Sequence, residues 1–324
     1  MKTLVLLDSH AILHRAYHAL PPFTSKKTGE PTGGLYGFST MLIRVIKELK
    51  PDYIAAAVDL PAPTFRDMLY KEYKAKRPEA DMELISQLKR LPDLIHAFGI
   101  EVLSAPGFEA DDILGTIVEQ TQKNPTTASQ LDGLRVIIVS GDMDTLQLVE
   151  GESVLVYTMR RGMEDTVLYD ENKMKERFGF PPTALPDFKG LKGDPSDNII
   201  GVKGIGEKTA TDIIKNFGTL ENLYKELEKI SPSRFAGASA RRAGGAGILK
   251  ERIVKLLLEH KKDAFFSKML ATIRRDAPIK FSAKGGSASG GQVPGSKFQV
   301  DKEVLITMFE ELGFDSLIKR LEGV

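Results

Sequence analysis

Short apolar runs, each closing on a polar residue, alternate with longer stretches of helical spacing through the first half of the chain. Residues 3–7 (TLVLL) run into Asp8, and residues 53–58 (YIAAAV) run into Asp59. Residues 100–103 form a third such run, and residues 135–139 (RVIIV) lead into Ser140-Gly141-Asp142-Met143-Asp144. Uninterrupted apolar runs of this length suit strands covered on both faces, as in a parallel sheet. Between the first two, Leu35, Phe38, Leu42, Val45, Ile46 and Leu49 recur at helical spacing and predict an amphipathic helix over 35–49, which Pro51 ends. Strand, helix, strand is the βαβ unit. Two shorter strands, 154–157 and 167–169, are joined by a turn around Gly162. The pattern predicts an α/β fold with a doubly wound, mostly parallel sheet over residues 1–180.

Residues 60–99 are more than a simple crossover requires. Pro61 and Pro63 break the chain, and Thr64 with Asp67 can cap a new helix. On it Arg66, Tyr70, Lys74 and Arg77 follow at spacings of four, four and three, with Tyr73 beside them. This predicts one basic, aromatic face, ended by Pro78. A second helix through Leu84, Leu88, Leu91 and Ile95 follows, with a kink at Pro92. The two together are expected to form an arm projecting over the sheet edge.

Beyond about residue 180 the chain turns to short helices and glycine turns, starting with GLKGDPSDNIIGVKGIGEKTA. A helical region is expected over 181–283, with 231–247, rich in Ser, Gly, Ala and Arg, as a mobile basic insertion and a basic helix over 248–261. Residues 284–297 (KGGSASGGQVPGSK) read as a flexible linker. Residues 298–324 carry a last amphipathic helix, through Val304, Leu305, Met308, Phe309 and Leu312, expected to pack back on the body.

Composition changes little in this picture. The 324 residues include no cysteine, which removes disulfide frameworks and thiolate metal sites. No apolar run approaches the roughly 20 residues of a membrane helix, and MKTLVLLDSH meets an aspartate too soon for a signal peptide. A cytoplasmic protein is expected. The net charge is +1, but the charges are segregated. Residues 66–77 hold five basic residues against two acids, and 234–255 hold six against one. Acidic and basic surfaces on one chain suit a metal-dependent enzyme that acts on phosphates.

The chemistry centres on GFEADDILG, residues 107–115. Glu109, Asp111 and Asp112 occupy the first turn of a helix expected over 109–123, where the helix dipole favours acids. For one acid, capping alone is an adequate explanation. For the set it is poor, because doubly wound sheets present their ligand sites at the carboxyl ends of the strands. Asp8, Asp59 and Asp142 stand at such ends, and the GFEADD helix starts at the same edge. Crowded carboxylates raise one another's pKa unless cations relieve them. An all-oxygen set suits magnesium or manganese rather than zinc, and two such ions would serve an in-line phosphodiester hydrolysis. His10, His14 and His18 recur every four residues without a matching cluster, and read as ordinary helix residues. The GVKGIG turn at 201–206 lacks the G-K-[ST] of a P-loop. It reads better as the turn of a helix–hairpin–helix whose N–H groups hold a DNA phosphate, with Lys203 and Lys208 adding charge. The 66–77 stripe would suit a single strand with stacked bases, although a solvated face explains it about as well alone.

Taken together, VDLPAPTFR with YKAKR, GFEADD, SGDMD and GDPSDNIIGVKGIGEKTA closely resemble the 5′ nuclease domain of bacterial DNA polymerase I, in the flap endonuclease family. The resemblance runs from LVLLD to the closing LGFDSLIKRL. It implies a PIN-like, Rossmann-like core with a helical arch at about 60–99 and a helix–hairpin–helix region. One metal site would use Asp8, Asp59, Glu109 and Asp111. The second would use Asp111, Asp142, Asp144 and Asp197, with Asp112 and Asp194 assisting through water. Tyr73, Lys74 and Arg77 match the arch motif, in which the lysine and arginine contact the scissile phosphate and the tyrosine stacks. Arg15, Phe65 and Arg66 match further DNA contacts, and Tyr70 shares their stripe. The hairpin, with Gly201, Gly204 and Gly206, would bind duplex DNA around a potassium ion. Met143 and Ile200 depart from the family's usual basic residue and proline.

The resemblance further implies a monomer that acts on DNA with 5′ flaps, nicks or 5′ ends and on RNA primers, in replication and repair, alongside a DNA polymerase and away from membranes. Whether the nuclease stands alone or belongs to a longer polymerase stays open. So do two other readings, a non-catalytic homologue that binds branched DNA and a PIN-like RNase.

Overall fold

Six strands form the central sheet: β1 (Thr3–Asp8), β2 (Tyr53–Ala57), β3 (Glu101–Leu103), β4 (Arg135–Ser140), β5 (Val154–Arg161) and β6 (Asp165–Tyr169). Their order is β3-β2-β1-β4-β5-β6. All neighbours are parallel except the β5–β6 hairpin. The computed structural model describes residues 1–123, 133–229, 249–281, 292–293 and 298–322. The chain divides into two units, one of residues 1–65, 79–170 and 273–324, the other of 66–78 and 171–272.

Alternation within the strands decides what each face of the sheet meets. Val5, Leu7, Ile54, Ala56, Ile137 and Val139 join a core with α1 (Ser9–Ala19), α2 (Gly33–Leu49) and α4 (Met82–Ala97). Leu4, Leu6, Ala55, Val136 and Ile138, on the opposite face, are equally buried. There α5 (Ala110–Lys123) packs on β1 and β2 through a fully apolar side, with Ile113, Leu114, Ile117 and Val118 all at 0% exposure. Burial on both faces is why these strands read as continuous apolar runs. The strand order reverses between β1 and β4. Asp8 ends β1 at that reversal, and Asp142 lies two residues past the end of β4.

The segment between β2 and β3 differs from the expected arm. Its helix α3 covers only Phe65–Leu69. Turns follow through residue 76, and Lys74 adopts a left-handed φ of 55°. A continuous stripe over 66–77 is therefore not formed. Tertiary bonds outweigh the helical periodicity here: Lys74 N–H donates to Asp197 O at 2.9 Å, and Asn198 Nδ2 donates to Glu72 O at 2.7 Å. The second predicted helix, α4, is a core element. Leu84, Leu91, Leu94 and Ile95 are buried in the first unit, with Pro92 inside the helix.

The second unit holds α6 (Glu171–Phe178), α7 (Leu185–Lys192), α8 (Glu207–Phe217), α9 (Leu220–Glu228), α10 (Glu251–Glu259) and α11 (Lys261–Ala271). The predicted basic helix is thus shorter than 248–261, and α11 follows it without having been expected. Lys268, paired with buried Asp187 at 2.6 Å and with exposed Glu221 at 2.8 Å, ties α11 to α7 and α9. The predicted insertion over 231–247 lies outside the described residues. Of the linker over 284–297, only β8 (Gln292–Val293) is described, and it pairs in parallel with β7 (Lys280–Phe281). The terminal helix α12 (Lys302–Leu312) returns to the first unit, burying Leu305, Phe309 and Leu312 in the same core as α4, and the short α13 (Asp315–Ile318) follows it.

Candidate active site

Asp8 is both the last residue of β1 and the N-cap of α1, accepting from Ala11 N at 3.2 Å. Its other oxygen accepts from Ser140 Oγ at 2.6 Å. Ser140 Oγ in turn accepts from Asp142 N at 2.9 Å, so one buried hydroxyl joins the ends of β1 and β4. Gly141 permits this closeness, because a Cβ there would lie 2.7 Å from Ala11 O. Asp142 Oδ1 then accepts from Asp144 N at 2.8 Å and caps the 3₁₀ turn Met143–Leu148.

Asp59 brings the acidic helix to the same edge. Its Oδ1 accepts from Ala110 N, the first residue of α5, at 2.7 Å. Its Oδ2 lies 3.0 Å from His10 Nδ1. His10 is therefore a partner of a site carboxylate, not an ordinary helix residue as its spacing suggested. Glu109 and Asp111 are half-buried beside this junction, and Asp111 Oδ1 is shielded from solvent. Asp112 is fully buried, with Oδ2 accepting from Glu109 N at 3.1 Å and Oδ1 from Arg274 N at 2.8 Å.

Burial, and then the negative charges of Asp59 and Asp142, push the Asp8 carboxyl up to about 7 against the lowering pull of Ser140 and Ala11 N. A buried carboxylate in that company is costly to ionise unless a cation joins it. Asp8, Asp59, Glu109, Asp111, Asp142 and Asp144 could offer a divalent cation an all-oxygen donor set.

In the second unit, Asp194 and Asp197 are held by cations of the same unit. Asp194 Oδ2 accepts from Lys189 Nζ at 2.5 Å, and Oδ1 from Ser196 N and Oγ at 3.0 and 2.6 Å. Burial alone would raise the Asp194 carboxyl, but Lys189 and Ser196 outweigh it and hold it below the usual range. Asp197 accepts from Arg77 Nη2 at 2.5 Å and from Tyr73 OH at 3.2 Å.

The expected nucleic-acid contacts divide. Arg66 is 1% exposed and donates to the carbonyls of Leu270 and Thr272 at 2.9 and 3.0 Å. It is a buried brace, not part of a basic surface. Tyr73 is 6% exposed, so its ring is not offered for stacking in this conformation, and Lys74 Nζ lies 4.9 Å from its centroid. Half-buried Tyr70 meets Phe266 edge-on at 5.6 Å. Arg15 donates to Arg160 O at 2.8 Å. Phe65 lies against the Arg274 guanidinium, 4.9 Å from its centroid. Arg77 is exposed along its length.

The glycine turn lies between α7 and α8. Gly201 has φ of 66°, and a Cβ on it would sit 2.2 Å from Gly193 N, so the turn closes only without side chains at that point. Gly206 caps α8 with no side-chain bond to its first N–H groups, and Lys203, Gly204 and Lys208 are exposed around it. Ile200, one of the departures, is 64% exposed. Ser140, Lys189 and Arg274 were not among the predicted residues. Only Ser140 carried a signal, since it opens the SGDMD motif.

Residues 3–179 match the 5′-3′ exonuclease N-terminal resolvase-like domain, and residues 180–291 match the 5′-3′ exonuclease C-terminal SAM fold. DNA polymerase I of Bacillus subtilis (strain 168) is 35% identical over 320 residues, 99% of this chain. The chain spans about a third (32%) of that relative's length. The T5 5′-exonuclease with bound zinc has a TM-score of 0.62 at 20% identity, covering 83% of this chain and 89% of its own. The catalytic core of Rad2 in complex with a DNA substrate has a TM-score of 0.54 at 18% identity, covering 98% of this chain and 90% of its own. At these identities the two structures share the fold.

Proposed function

The chain belongs to the 5′-3′ exonuclease family, an enzyme family of nucleases, and from that premise we propose that it hydrolyses DNA phosphodiesters at 5′ flaps and 5′ ends with divalent metal ions. The observation that carries this reading is the joining of strand-end carboxylates to the acidic helix start: Asp8 to Asp142 through Ser140, and Asp59 to the first N–H of α5. In it Asp8, Asp59, Glu109 and Asp111 would hold one magnesium ion, and Asp111, Asp142 and Asp144 would contribute to a second. When bound, the ions supply Lewis acidity toward the attacking water and the leaving oxygen.

The remaining work falls to the chain's own residues. Ser140 and Ala11 N fix the two oxygens of Asp8. Arg77 and Lys74 bind substrate phosphate, which requires Arg77 to exchange Asp197 for the incoming charge. Lys203, Lys208 and the uncapped N–H groups after Gly206 hold duplex backbone without reading sequence, as a helix–hairpin–helix does, with carbonyls of the turn as candidates for potassium. The similarity to DNA polymerase I supports a role for this cleavage in RNA-primer removal during replication and repair, beside a polymerase.

The test is a labelled 5′-flap duplex incubated with magnesium, with EDTA, and with Asp142→Ala. Cleavage only by the magnesium-loaded wild type supports the proposal. No magnesium-dependent product would overturn it, and equal cutting by Asp142→Ala would overturn the carboxylate assignment.

A further inference from the structure

We propose that Arg274 is a positioning residue, which locks the loop carrying Glu109 and Asp111 through one backbone attachment and one side-chain attachment. The inference rests on the nuclease reading for its catalytic consequence, and on the first unit's geometry for everything else.

The backbone attachment is the bond from Arg274 N to Asp112 Oδ1 at 2.8 Å. The other oxygen of Asp112 caps Glu109 N at 3.1 Å, and the side chain is 0% exposed. Asp112 thus spends both oxygens on main-chain donors and acts as a clasp between residue 274 and residue 109. The side-chain attachment is aromatic. The Arg274 guanidinium lies 4.9 Å from the ring centroids of both Phe65 and Phe108, and its edge is held by Asp276 at 2.8 and 2.6 Å. Phe108 is the residue directly before Glu109, and Phe65 N donates to Gly107 O at 2.9 Å. A cation beside two rings whose own centroids are 6.3 Å apart gains from both quadrupoles, and a planar guanidinium lies against them better than an ammonium would.

These contacts belong to a strap. Residues 273–279 run along one face of α5, stitched by side chains that recur at helical spacing. Thr116 Oγ accepts from Ala277 N at 2.9 Å, Glu119 pairs with Arg275 at 3.2 Å, and Gln120 Nε2 donates to Ile279 O at 2.8 Å. Gly115 leaves room for it, since a Cβ there would lie 2.7 Å from Arg274 O. Gln147 Oε1 accepts from Ile273 N at 2.9 Å and fixes the strap's start.

Carboxylates that must meet ions and substrate lose rate steeply when displaced by an ångström. The test uses the full chain with Arg274→Ala, Arg274→Lys and Phe108→Leu, following hydrogen exchange of the Glu109 amide, single-turnover cleavage of a 5′-flap duplex, and DNA affinity in calcium. Arg274→Ala and Phe108→Leu are expected to speed exchange at Glu109 and to lower kcat roughly tenfold, with KM and DNA affinity unchanged. Arg274→Lys recovers part of the rate, because an ammonium there is still attracted by the two rings. Weakened DNA affinity with kcat retained would make Arg274 a substrate contact and overturn the proposal, as would unchanged exchange at Glu109. If wild type fails to cut with magnesium, the nuclease reading falls, and the exchange comparison still decides the positioning.

Discussion

Replacing Asp8 with Asn should make the metal-free protein more stable while removing its function. Asp8 is 6% exposed and faces Asp59 and Asp142, and its carboxyl is pushed up to about 7 from an ordinary 3.8, chiefly by burial. Between those two values the folded chain retains a proton that the unfolded chain has released. Stability from this residue is therefore present below about pH 4, falls as pH rises, and is fully lost above about 7. The gap of about 3 pH units corresponds to about 4 kcal/mol at neutral pH. Asn keeps the acceptor for Ala11 N and carries no charge, but it gives up the charge-assisted bond from Ser140. The net gain for Asp8→Asn at pH 8 in EDTA is expected to be about 2 to 3 kcal/mol. Denaturant unfolding followed by circular dichroism, repeated from pH 4 to 8, measures the difference between variant and wild type. That difference should start slightly negative at pH 4, with the variant about 1 kcal/mol the less stable, and rise to its full value by about pH 7. Added magnesium should stabilise wild type more than the variant, which lacks a carboxylate of one of the two proposed sites, because only a species that binds the folded state shifts it. A variant less stable than wild type at pH 8 without metal, or a difference independent of pH, would refute the reasoning.

Two further outcomes separate structure from surface chemistry. Arg66→Met should cost about 3 kcal/mol, because the buried bond to the Leu270 carbonyl and the part-buried one to the Thr272 carbonyl are lost, and calorimetry of the variant checks it. If its stability is unchanged and its DNA affinity falls, Arg66 is a substrate contact after all. Gly141→Ala drives a Cβ to 2.7 Å from Ala11 O, and should destabilise by about 1 to 3 kcal/mol while weakening manganese binding measured by electron paramagnetic resonance.

Much of the fold was legible because its signals are local. The runs ending at Asp8 and Asp59, the run before SGDMD, and the acids in the first turn of α5 each announce themselves within a few residues. Period and strand topology then place Asp8, Asp59 and Asp142 at one edge of the sheet without any knowledge of contacts. The hairpin around Gly162 was readable for the same reason. What only the tertiary structure decided depends on partners distant in sequence. The stripe of Arg66, Tyr70, Lys74 and Arg77 obeys helical spacing, yet the helix stops at Leu69, because Asp197, Leu270 and Thr272 hold these residues differently. Asp112 shares the acidic motif with Glu109 and Asp111, but its two oxygens are spent on N–H groups 3 and 162 residues away. Ser140 and Arg274 are ordinary letters in the chain. Their roles arise from a hydroxyl placed between two strand ends and a guanidinium placed against two rings, and periodicity cannot encode such a meeting.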